Sequence, residues 1–98
     1  MIIIGEITGY DIGKEDVLVH IQDEHGTWYK CIGDAPIYES AIRLLAKNKD
    51  RVKITGDLRE REIYHTPGVQ QEVLIISFLE QIMPAHEDFN FRLTGALY

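Results

Sequence analysis

A chain of 98 residues is long enough for one compact core and too short for two. Its 45% hydrophobic and 27% charged residues exclude an intrinsically disordered chain, and a net charge of −6, taken as a total, argues against a nucleic-acid partner. Cys31, the single cysteine, excludes an intramolecular disulfide and suits a reducing cytoplasm.

The run from Met1 to Glu6 has no basic region ahead of a long apolar stretch, so no signal peptide is expected. No apolar run approaches the ~20 residues that a bilayer demands, so a cytoplasmic protein without a membrane partner is expected.

In chain order, Ile2 to Tyr10 is a β-branched run interrupted by Gly5 and Gly9, as in a strand that bends. After the polar stretch Asp11 to Asp16, Val17 to Gln22 reads as a second strand and Thr27 to Ile32 as a third. Asp23-Glu24-His25-Gly26 between them suits a type I turn followed by a left-handed glycine, the usual three-residue hairpin loop. That loop sets His20 opposite Lys30 and Gln22 opposite Trp28, and turns Val17, Val19, Ile21, Tyr29 and Cys31 inward. A four-residue loop would instead exchange the faces of Trp28 and Tyr29.

A helix follows, with Asp34 as its cap, Pro36 in its first turn and an apolar stripe of Ile37, Ala41, Leu44 and Leu45. Arg51 to Arg59 alternates as a fourth strand with Val52, Ile54 and Leu58 inward. Pro67-Gly68 fits the centre of a type II turn, and Val73 to Ile82, with Ile75 in the core, returns as a fifth strand. Pro84 ends the pattern.

Strand, strand, strand, helix, strand, strand is the layout of an oligonucleotide/oligosaccharide-binding (OB) domain. Over residues 1–83 the chain resembles that family. Arg51-Val52-Lys53-Ile54-Thr55-Gly56-Asp57-Leu58, followed by a hairpin tip and a β-branched strand, is similar to the last two strands of replication-protein and single-strand-binding-protein OB domains. The resemblance implies an all-β fold with one helix: a five-stranded closed Greek-key barrel with the helix between strands 3 and 4. OB domains bind single-stranded nucleic acid, and also sugars, proteins and tRNA.

In this family the second and third strands form the usual ligand surface, flanked by the first and last inter-strand loops. That surface would carry Leu18, His20, Gln22, Trp28, Lys30 and Ile32. Trp28 offers a ring for base stacking and Lys30 a cation for phosphate; the plainer reading packs Trp28 over the barrel or under a partner. Arg59, Arg61, Tyr64 and His65 on the last hairpin would close over a strand from one side, and Tyr10 with Lys14 from the other. From Arg43 to Arg61, seven basic residues stand against three acids, a local +4 that includes Lys53 and leaves −10 elsewhere. A solvated helix-to-strand connection accounts equally well for that window.

Chemistry beyond binding finds little support. His20, His25, His65 and His86 lack metal-ligand spacing, Cys31 lies inward with no adjacent base, and no glycine-rich phosphate loop occurs. The expectation is a non-enzymatic binding domain without metal or cofactor, taking single-stranded DNA or RNA. The alternative is a protein-interaction or assembly module that uses the barrel face or the C-terminal tail.

Residues 84–98 form that tail. Phe89, Phe91 and Leu93 alternate with Asn90 and Arg92 as an extra strand would. The tail would add to the parent sheet or pair with a second copy, and homo-oligomerisation through residues 85–98 is expected.

Overall fold

A computed structural model describes residues 1–62 and 67–82, together with the backbone of 92–94. Five strands and one helix follow in the expected order: β1 (Ile2–Ile12), β2 (Asp16–Asp23), β3 (Trp28–Asp34), α1 (Ala35–Asn48), β4 (Arg51–Glu62) and β5 (Gln70–Ile82). A short sixth strand, β6 (Arg92–Thr94), pairs antiparallel with β5 at Phe78–Glu80. Of the two places expected for the tail, residues 92–94 take the one on the parent sheet.

The strands lie in the order β3-β2-β1-β4-β5-β6. A further pairing, parallel between β3 and β5 at Cys31↔Leu74 and Ile32↔Ile75, joins the ends of the five-stranded sheet into a ring. Alternation on β1 and β2 turns Ile3, Ile7, Val17, Val19 and Ile21 inward, where they meet Cys31, Val52, Ile54, Leu74 and Leu79. Each large aliphatic side chain sealed there contributes roughly 1.5–3 kcal/mol.

Helix α1 packs Tyr38, Ala41, Ile42 and Leu45 against this core. The buried face is therefore rotated from the expected stripe, with Tyr38 and Ile42 replacing Leu44, which is exposed, and Ile37, which is half-buried. Asp34 occupies the N-cap position, but its side chain makes no capping bond; the Ala35 amide donates instead to the Glu15 carbonyl. Past the helix end, Lys49 adopts the left-handed conformation at φ 56°, and the Asp50 amide bonds back to the Leu45 carbonyl at 3.1 Å. Asp50 is buried and accepts a hydrogen bond from Gln81 Nε2 at 2.7 Å, tying the helix exit to β5.

Two features of β4 and β5 depart from simple alternation. Thr55 pairs with Phe78 and Gly56 with Ile76, so Ser77 is an extra residue on β5, a β-bulge. The Tyr38 hydroxyl donates to the Ser77 carbonyl at 3.2 Å, so the helix holds the bulge in place. Beyond it the inward positions of β5 change parity, and Ile75 is half-buried on the outside, packed with Leu18, Ile32 and Val73 rather than in the main core. Leu58 keeps the core-side parity of Val52 and Ile54, yet it is 45% exposed because the β4–β5 hairpin extends past the ring. At Gly56 a Cβ would lie 2.0 Å from the Ile75 carbonyl oxygen, so the strands meet here only because the residue is glycine.

A candidate ligand groove

The β2–β3 hairpin has the expected register, with Gln22 opposite Trp28 and His20 opposite Lys30. Asp23 builds its turn. The Gly26 amide donates to the Asp23 carbonyl at 3.1 Å, the Asp23 amide donates to the Thr27 carbonyl at 3.0 Å, and Gly26 is left-handed at φ 84°. Asp23 Oδ1 accepts from the His25 and Thr27 amides, both at 2.9 Å. The bond from Thr27 is the main reason the carboxyl is held below its ordinary value; the His25 amide and charge and the Tyr29 hydroxyl add to it against partial desolvation. Gln22 Nε2 completes the loop by donating to the Gly26 carbonyl at 3.3 Å.

This scaffold leaves Trp28 59% exposed at the rim of an open groove of about 530 Å³. Trp28 and Lys30 form the β3 wall, Leu58 comes from β4, and Gln71, Glu72 and Leu74 come from β5. Lys30 Nζ donates a hydrogen bond to Gln71 Oε1 across the groove floor. The groove thus holds a wide flat aromatic, one oriented ammonium, one carboxylate and an apolar flank.

The surface expected of β2 and β3 is shorter than the alternation implied. Leu18 and Ile32 are each only 6% exposed and close a second small cluster with Val73, so they present nothing to a ligand. The accessible part is the end nearest the turn, with Trp28, Lys30 and, half-buried, His20 and Gln22.

The remaining expected residues are dispersed. Tyr10 lies with its ring 5.9 Å from the Arg43 guanidinium of α1, away from the groove. Lys14 is exposed in the β1–β2 turn, and Lys53 stands on the outer face of β4 between Ile4 and Glu80; neither lines the groove. Arg59 and Arg61 follow Leu58 on the hairpin without lining the groove, each 4.0 Å from an acid, Asp57 and Asp16 respectively. Tyr64 and His65 lie outside the described residues. The basic window forms no single patch, since Arg43 pairs with Glu39 on the helix and Arg51 with Glu24 at the hairpin turn. Such exposed pairs are worth about 0–1 kcal/mol each and yield readily to a phosphate.

Leu58, Gln71 and Glu72 are the groove residues that sequence reasoning missed. Gln71 and Glu72 are set beside β3 by the parallel seam, which leaves no local mark in the chain. Leu58 carried a signal, its position just before the charged hairpin, but alternation alone assigned it to the core.

Cys31 is sealed at the same seam, and burial pushes its thiol up to about 12, which keeps it protonated and unreactive. Among the described residues, no group of three or more His, Cys, Asp and Glu side chains is placed to hold a metal ion. No helix among them is long and apolar enough to cross a membrane.

Comparison with protein-family models, with curated proteins and with solved structures gives no match.

Proposed function

We propose that this chain is an OB-type domain that binds single-stranded nucleic acid, without catalysis, in the groove between Trp28 and the β4–β5 hairpin. The ring of pairings β1-β2-β3-β5-β4, with a parallel β3–β5 seam and a helix between β3 and β4, supports the barrel assignment. The observation that carries the function is the exposure of Trp28 beside an oriented Lys30 on the β2–β3 surface. A tryptophan left 59% in water forgoes much of the stabilisation that burial would provide, and a stacked base restores it.

Lys30 in the groove, with Arg59 and Arg61 on the hairpin that also bears Leu58, would supply the cations. About three neutralised phosphates give a log–log salt slope near −2 for a single strand, so affinity is micromolar and weakly selective among bases. Titration of oligo-dT, oligo-U and duplex against the fluorescence of Trp28, at two salt concentrations, tests this directly. Quenching by single strands with that slope supports it. No quenching and no gel retardation at low salt rejects it.

A second reading rests on Leu58 and Glu72. With an exposed leucine facing the tryptophan and an acid on the wall, the groove also suits an extended protein segment with apolar and basic side chains. Under that reading Trp28→Ala abolishes protein capture while oligonucleotides have no effect in either variant.

A further inference from the structure

The outer face of β1, β4 and β5 carries an unusual pattern. Cross-strand pairing arranges it in rows: Ile2, Thr55 and Phe78 in one, then Ile4, Lys53 and Glu80, then Glu6, Arg51 and Ile82. Ile2 is 56% exposed, Phe78 38% and Ile4 37%. Glu6 and Glu80 stand here against Arg51, Lys53 and, opposite Glu80 on β6, Arg92, so the face carries no excess of acid on a chain whose net charge is −6. A partly apolar sheet face without excess acid is where two copies of a strongly acidic chain approach with least repulsion.

We infer that this face is a homodimer surface on which a second copy packs sheet to sheet, about a twofold axis running along the strands between β4 and β5. The position of the axis follows from β6. With β6 on the free side of β5 the face has four strands, β1-β4-β5-β6, and its midline falls between β4 and β5. A twofold axis on that midline lays β4 of one copy over β5 of the other and β1 over β6, so no strand is left uncovered. In the same arrangement Lys53 of each copy meets Glu80 of the other, and Phe78 meets Thr55. Moving the axis onto β4 would set Lys53 against Lys53 and is disfavoured.

The face is small, roughly 15 Å across four strands and about 13 Å along three rows. That is well short of the ~800 Å² per partner of a standard stable interface. The dimer is therefore weak and concentration-dependent.

Sedimentation velocity over two decades of protein concentration provides the test. Wild type shifts from monomer to dimer, and Phe78→Ser stays monomeric with an unchanged circular dichroism spectrum. Lys53→Glu and Glu80→Lys are each monomeric alone, because the reversed charge meets its like across the axis. Mixed together the two variants associate, since both contacts across the axis then join a carboxylate on one chain to an ammonium on the other. Repair within one chain cannot imitate that result. A wild type that stays monomeric throughout, a Phe78→Ser protein that still dimerises, or single variants that fail to associate on mixing each overturns the inference. None of the three substituted residues lines the groove, so oligonucleotide binding is measured separately on the same variants.

Discussion

Lys30 on β3 donates its hydrogen bond to the side chain of Gln71 on β5, across the parallel seam that closes the ring. A lysine ordinarily loses about 2 kcal/mol of side-chain entropy when a ligand fixes it. Here much of that ordering is already present beside Trp28. Lys30→Ala is expected to flatten the salt slope for single strands by about 0.7, the share of one phosphate. Gln71→Ala keeps the Lys30 charge and removes the bond that orients it, so affinity falls while the slope stays. Salt titrations of the two variants separate the effects.

Trp28→Ala is expected to weaken single-strand binding by about 1–3 kcal/mol, the value of one base–aromatic stack, with the slope unchanged. Gel retardation or fluorescence anisotropy of a labelled oligonucleotide measures this, since the variant has no tryptophan signal of its own.

Leu45 and Leu58 make a matched pair of truncations. Leu45→Ala opens a hole beneath α1 and is expected to cost on the order of 2–5 kcal/mol in urea unfolding. Leu58→Ala removes a side chain already 45% exposed and is expected to stay within about 0.5 kcal/mol, while loosening whatever occupies the groove.

The difference between those two leucines also marks where sequence reasoning succeeds. Trp28, Lys30, His20 and Gln22 were placed correctly because turn chemistry at Asp23–Gly26 and period-two alternation are both local and agree. Leu58 and Ile75 were misplaced because burial there depends on other elements. Ile75 changes face at a bulge held by a helix hydroxyl 39 residues away in sequence, and Leu58 depends on how far the hairpin outruns the ring. Arg43, Arg51 and Lys53 are close in the chain, but Arg43 stands on the helix, whereas Arg51 and Lys53 share the outer face of β4.

Gly56→Ala is expected to cost about 3 kcal/mol or prevent folding, because its methyl group would meet a strand carbonyl instead of a flexible side chain. Tyr38→Phe loses the bond to Ser77 and should cost about 1 kcal/mol. Thermal melts of both variants check the order.

Asp23 sets an acid limit on the hairpin. Its carboxyl titrates below its ordinary value in the fold, chiefly through the Thr27 amide, so the charged form favours the native turn. That contribution is complete above the unfolded value near 3.8 and is lost as pH falls through the lowered one. Asp23→Asn is expected to lower the melting temperature near neutral pH and to narrow its gap to wild type in strong acid. Melting curves from neutral to pH 2 give the comparison.

The seam between Cys31 and Leu74 sets the timing of folding as well as the architecture. It joins positions 43 residues apart, with α1 and β4 in the intervening chain. Closure of so long a loop puts the chain among the millisecond-to-second folders rather than the microsecond ones. The thiol fully sealed at that junction then acts as a clock: a maleimide or disulfide reagent reaches it only in the moments when the ring stands open.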